Sequence, residues 1–265
     1  MPSTFTWLDY SETERRKMLD VINAFREKET RDELGLGSVR DAFADQLFPG
    51  TSTIQTRARY FLFVPWIYRR LERDRTRSHE IARVARRDEV RLIEALLKGG
   101  ETGLGAGVIG SQARAKLQRL PSSVYWFGLG AWGIRLYPGS TDQYHRSLDR
   151  FHEAQRQRRH VRGQEDDLLD EPAGANWHPH LPDAPANLLE QTTFQLSADE
   201  ADYLSECIRI HTRGSLLAFL LELDGAPASV DFPWQLPELE LAPATRGTPC
   251  ARILSSDMAT VTSGG

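Results

Sequence analysis

Residues 51–70 read TSTIQTRARYFLFVPWIYRR. Two arginines, Arg57 and Arg59, lead into nine uncharged residues carrying five aromatic rings: Tyr60, Phe61, Phe63, Trp66 and Tyr68. Ser52-Thr-Ile-Gln55 has the spacing of a capping box, in which the Ser side chain accepts from the third helical N–H and the fourth residue reaches back. That spacing predicts a helix running on from Thr53, with Ile54, Ala58, Phe61, Leu62 and Pro65 on one face. The arginines at its head need an anion. It is either a carboxylate of the same chain or a phosphate from outside.

Working outward, the same helical signals recur. Ser11-Glu-Thr-Glu14 is a capping box ahead of Met18, Leu19, Ile22 and Phe25. Ser38 with Asp41 opens a shorter helix over 38–48, carrying Val39, Phe43 and Leu47 and closed by Pro49-Gly50. Ile81, Ala85, Leu92, Ile93 and Leu96 mark another, ended by Gly99-Gly100. Ser111 to Leu120 reads as a short helix before Pro121. The run from Val124 to Ile134 is apolar throughout, so it is buried on all sides or packs closely through its glycines. Ser140-Thr-Asp-Gln143 and Ser197-Ala-Asp-Glu200 are two further capping boxes, the first before Tyr144, Leu148 and Phe151, the second before Tyr203, Leu204, Cys207 and Ile210. Ser215 to Leu223 is an apolar helix.

Strand alternation persists nowhere, and no internal repeat is visible. The expected fold is mostly α: a multi-helix globular body with a Pro-rich linker and a small C-terminal helical part. The expected divisions are an N-terminal helical domain at 1–162 with a basic middle, an acidic Pro-rich linker or surface arm at 163–192, an acidic helical part at 193–245 and a disordered tail at 246–265.

The chain has 265 residues and a net charge of -4, with 33 basic and 37 acidic side chains. That balance conceals a division. Residues 1–50 hold 7 basic and 10 acidic side chains, 51–163 hold 22 and 10, and 164–265 hold 4 and 17, so the three stretches carry -3, +12 and -13. Such asymmetry suits either a polyanion-binding middle or an acidic end that neutralises it. The apolar runs fall short of the roughly 20 residues a membrane span needs, and the first residues lack a signal-peptide pattern. Two cysteines, Cys207 and Cys250, imply no disulfide framework. A cytoplasmic protein with no membrane partner is expected.

Several constellations could carry chemistry. The helix 38–48, the turn PGTS and the helix from Thr53 have the short Gly-containing connection of a helix-turn-helix, which would put Gln55, Thr56, Arg57 and Arg59 at base edges. Against that, Arg57 on such a helix projects between Phe61 and Val64, towards apolar neighbours, which suits a buried arginine paired to a carboxylate. Arg69, Arg70, Arg73, Arg158 and Arg159 belong to a wider basic surface, Arg69 to Arg91 with Arg146 to Arg162, suited to phosphate contact. The bland reading is a solvated helix face with intrahelical pairs such as Glu72 with Arg69 and Arg75. Gly105-Ala-Gly-Val-Ile-Gly110 is a formal GxGxxG, but a helix rather than a strand precedes it, and no acidic residue follows at the distance a dinucleotide site needs. Arg73 with His79, and Arg146 with His152, have the spacing of a metal-independent ribonuclease of the HEPN type. Pairs at that spacing are as frequent here as chance gives among 29 arginines. Cys207 with His211, and His178 with His180, do not add up to the four ligands of a closed zinc site. No metal, no cofactor and no catalytic residue is expected.

The segments FTWLDYSETERRKMLDVINAFREKETRDELGLGSVRDAFADQLFPGTSTIQTRARYFLFVPWIYRRLE, LPSSVYWFGLGAWGIR and SLLAFLLEL with FPW resemble the bacterial domain-of-unknown-function family numbered 6361. The resemblance covers most of residues 4–235. It implies a setting among anti-phage defence genes, beside helicases and phospholipase D-like nucleases, and supplies no catalytic residues. The stretch TRGTPCARILSSDMATVTSGG departs from the family pattern, so a copy truncated or frameshifted at its C-terminus is expected. Together these point to a non-catalytic protein that binds nucleic acid, or a helicase or nuclease partner, through its arginine-rich middle. The competing expectations are the ribonuclease and a scaffold whose basic and acidic halves neutralise each other.

Overall fold

The computed structural model describes residues 36–103, 105–113, 117–161 and 174–223, with side chains of the helix at 141–161 described through Gln157. The expected helix behind Ser11 and the tail at 246–265 lie outside these residues. Seven helices make up the described part: α1 (Leu36–Leu47), α2 (Tyr60–Arg73), α3 (Ile81–Lys98), α4 (Pro121–Ala131), α5 (Thr141–Val161), α6 (Ala198–His211) and α7 (Leu216–Glu222). The fold is all-α. Its one β feature among the described residues is an isolated bridge between Arg135 and Trp177. The chain divides into two units, Met1–Ala44 and Asp45–Gly265. Of the first, Leu36–Ala44 is described and is helical.

In the second unit, α2 is the central element. Every residue from Tyr60 to Tyr68 is buried, as the unbroken apolar run required. It packs against α3 and α4. Phe61 stacks on Trp132 with ring centroids 3.7 Å apart, and Tyr68 meets Trp126, Tyr144 and Trp177. Gly128 of α4 makes that approach possible, because a Cβ there would lie 2.2 Å from the Gly50 carbonyl oxygen and 2.8 Å from the Phe61 ring. Gly130 and Gly133 of the same run are approached closely by side chains, those of Arg135 and His211.

Helix α2 begins seven residues later than the capping-box spacing predicts. Residues 48–59 form turns and irregular loop instead. The cause is Tyr125, whose hydroxyl accepts from the backbone N–H groups of Thr56 and Arg57 and donates to the Arg57 carbonyl. The Gln55 side chain reaches the Gly50 carbonyl at 3.1 Å. Backbone groups that a helix would have used are satisfied from across the fold. Helix α1 starts at Leu36, ahead of the expected Ser38. The described residues of 111–120 are turns and bends rather than a helix.

Two of the capping boxes form as expected. At the head of α5, Ser140 and Gln143 exchange bonds of 2.9 and 3.2 Å. At the head of α6, Ser197 and Glu200 do the same at 3.1 and 3.2 Å. Helix α3 ends at Gly99-Gly100, also as expected, with Gly100 left-handed at φ 93°.

The stretch 163–192 is expected to be a surface arm. Its described part, from Gly174, instead supplies Trp177, Leu181, Leu188 and Leu189 to the core. Leu204, Cys207 and Ile208 of α6 join the same core, so the segment and the acidic helical part close one hydrophobic body. Glu72 locks the segment in place. One of its carboxylate oxygens accepts from Tyr144 Oη at 2.5 Å, Asn176 Nδ2 at 2.8 Å and Trp177 Nε1 at 3.1 Å. Burial pushes the Glu72 carboxyl up, and those three donors partly offset it. The surface pairs expected for Glu72 with Arg69 and Arg75 do not form.

Candidate anion-binding cleft

The loss of a helix over 53–59 removes the helix-turn-helix. Gln55 is held by Gly50, and the Thr56 hydroxyl donates to the Gly107 carbonyl. Arg57 is exposed, with its guanidinium on the Gly105 carbonyl at 2.6 Å and over the Phe194 ring at 5.9 Å. The arginine buried against a carboxylate is Arg59, not Arg57. Its Nη2 lies 2.7 Å from Glu200 Oε1, with side chains only 11% and 8% exposed, and its Nη1 donates to the Thr193 carbonyl. Glu200 thereby caps α6 and anchors the head of α2 at once. None of these four residues presents an open anion site.

The arginines at the other end of α2 differ. The turn between α2 and α3 brings the last residues of one helix beside the first half of the other. Arg70 Nη2 donates to Asp88 Oδ2 at 2.5 Å and Arg87 Nε to Oδ1 at 3.0 Å, so the fully buried Asp88 fixes one guanidinium from each helix. A cleft of about 500 Å³ opens here, lined among others by Arg70, Arg75, Arg77, Arg87 and Arg91. A second, of about 280 Å³, shares Arg70 and Arg91 with it and adds Arg69 and Arg73. The larger cleft holds five arginines against the carboxylates of Asp74, Glu80 and Asp88, an excess of two positive charges.

Arg73, Arg75, Arg77 and Arg91 are exposed, and their side chains make no hydrogen bond or ion pair with the described residues. Arg69 donates to the Leu181 carbonyl at 3.1 Å and stands 3.9 Å from Asp183. Arg158 and Arg159 lie on α5, their side chains outside the described part. Between the basic middle and the acidic remainder, the ion pairs among the described residues are Arg59–Glu200 and Arg69–Asp183. The acidic remainder meets the α2–α3 arginines at Arg69 and places Asp183 and Glu190 in the smaller cleft, while the side chains of Arg73, Arg75, Arg77 and Arg91 form no ion pair among the described residues.

Arg75 has φ 53°, the one non-glycine with positive φ among the described residues. Its N–H bonds the Glu72 carbonyl, and the next N–H, of Thr76, bonds the Leu71 carbonyl. This is a Schellman motif with arginine where glycine is usual. Helix α3 ends in the same motif, but with Gly100 at that position. In the sequence Arg75, Arg77, Arg87 and Arg91 stand out only as part of a long basic stretch. The readable signal was their density on both sides of a helix break.

The other candidates do not assemble. His152 is buried, its imidazole pKa is lowered by that burial, and the Arg146 guanidinium turns to the Asp142 carbonyl. His79 is exposed in the turn before α3. Cys207 is buried, and the His211 ring nitrogen Nδ1 bonds its carbonyl oxygen rather than its sulfur. Among the described residues no group of three His, Cys, Asp or Glu side chains could hold a metal ion, and no helix is long and apolar enough to cross a membrane.

Fold and site together define an all-α protein with an arginine-lined recess where two core helices meet. The chain belongs to DUF6361, a family of unknown function, which it matches over residues 2–258. The match takes in most of the stretch from Thr245 that is expected to depart from the family pattern. No curated protein and no solved structure matches the chain.

Proposed function

We propose that this protein binds nucleic acid without acting on it chemically, through the arginines of the α2–α3 junction. The observation that carries this reading is the convergence of Arg73, Arg75, Arg77 and Arg91, exposed and with side chains lacking internal partners among the described residues, on two adjoining clefts. Guanidinium groups offer planar bidentate donors matched to phosphate oxygens. Arg70 and Arg87, already oriented by Asp88, line the recess beside them. An accessory role beside a helicase or nuclease in a bacterial anti-phage system, in the cytoplasm, fits such a surface.

Affinity for single-stranded and duplex DNA, measured across salt concentration, tests the reading. Each phosphate contact contributes about -0.7 (single strand) or -0.9 (duplex) to the log–log slope through counterion release. Four available arginines lead us to expect a slope near -3. Binding that is absent, or indifferent to salt, rules the proposal out.

A further inference from the structure

We infer that the paired clefts take a single-stranded segment, with one base against the apolar wall of the smaller cleft and its flanking phosphates on the arginines. This rests on the nucleic-acid reading above and names the form of nucleic acid that it serves.

Reading a duplex in its major groove requires a protruding helix or ribbon. The segment expected to provide one, 53–59, is turns and irregular loop, and α2 is buried from Tyr60 to Tyr68. What the α2–α3 junction offers is a pair of adjoining recesses. Recesses of about 280 and 500 Å³ are on the scale of sites that enclose a small ligand. A base within a duplex is stacked on both faces and cannot enter a recess, whereas an unpaired base can.

The smaller cleft is lined by the apolar Trp66, Pro185, Leu188 and Leu189, by Arg69, Arg70, Arg73 and Arg91, and by the carboxylates of Asp183 and Glu190, an excess of two positive charges. Apolar wall and guanidinium plane are the two surfaces on which unpaired bases stack. The larger cleft is polar, with Arg75 and Arg77 at its edge and only Leu71 and Val84 apolar. Arg70 and Arg91 belong to both. A strand crossing from one to the other would meet a base site and then a phosphate site, repeating its own alternation. The left-handed Arg75 at this rim is strain placed where contact with a ligand could compensate it.

Fluorescence anisotropy with a labelled single-stranded oligonucleotide, the duplex of the same sequence and a competing mononucleotide tests this. The single strand should bind about tenfold tighter than the duplex. Ala186→Leu, which fills the smaller cleft at an exposed loop position, should weaken single-strand binding about tenfold and leave duplex binding within about twofold. Arg91→Ala should weaken the single strand by about tenfold. Arg209→Ala, which removes a surface pair with Glu206 on α6, should change neither. Circular dichroism establishes that each variant is folded. Duplex binding equal to or tighter than single-strand binding, with a normal salt slope, overturns the inference and leaves nucleic-acid binding standing. So does an unchanged Ala186→Leu. A mononucleotide that displaces the strand as well as the unlabelled strand does reassigns the clefts to a free nucleotide, which also overturns it. No binding to either polymer overturns both readings.

Discussion

At the residue scale, Arg75 and Glu89 show what single side chains are kept for. A left-handed non-glycine costs about 1 kcal/mol or more. Arg75→Gly should therefore raise unfolding stability by about 1 kcal/mol in a urea titration while weakening nucleic-acid binding. A variant that gains stability and loses no affinity would mean that Arg75 serves no ligand. Glu89 is fully buried, one oxygen accepting from the Ser122 N–H at 2.8 Å at the head of α4, the other without a partner among the described residues. Burial pushes its carboxyl from 4.5 up to about 7, with the Ser122 bonds offsetting part of that. The folded state holds this proton more tightly than the unfolded chain, so the contribution of Glu89 to stability is fully present below 4.5 and is lost as pH rises through about 7. A displacement of that size corresponds to about 3 kcal/mol. Glu89→Gln should flatten this part of the stability–pH profile and exceed the native protein in stability above pH 7. Parallel profiles for the two proteins would show that Glu89 is not the group that titrates.

At the element scale, helix starts divide into those that local sequence sets and those it does not. The boxes at Ser140 and Ser197 form because both partners lie within one turn. The box at Ser52 does not, because Tyr125, nearly seventy residues away in sequence, takes over the backbone of Thr56 and Arg57. The closeness of α4 to the Gly50 turn and Phe61 depends on Gly128. Gly128→Ala places a methyl group against a backbone oxygen that cannot yield, and overpacking of this kind costs about 3 kcal/mol. Thermal unfolding should show the loss, and a variant as stable as the native protein would mean that α4 can retreat.

At the scale of the whole molecule, the second unit is closed by a segment whose composition reads as surface. Trp177 lies in the core and donates to the buried Glu72 carboxylate. Trp177→Ala removes both that packing and that donor, at a cost of about 4 kcal/mol. Protease cleavage within 174–192 should then appear under native conditions. Resistance equal to the native protein would show that the segment is held without it. The same scale explains the charge asymmetry. The stretch of +12 gives up Arg59 to Glu200 of the acidic remainder, and two of its surplus positive charges lie in the larger cleft at the α2–α3 turn.

The helical class, the burial of 60–68, the close packing of the glycine-rich run 124–134 and two caps were legible in the sequence, because periodicity, apolarity and capping act over a few residues. The site was legible only as an excess of arginine. Which guanidinium is spent on a carboxylate, Arg59 rather than Arg57, depends on where Glu200 arrives from 141 residues away. Which ones face solvent together depends on how the α2–α3 turn folds one helix back beside the other. Local interactions chose the elements. Long-range packing chose the partners, and only the partners determine which charges are left for anything outside the protein.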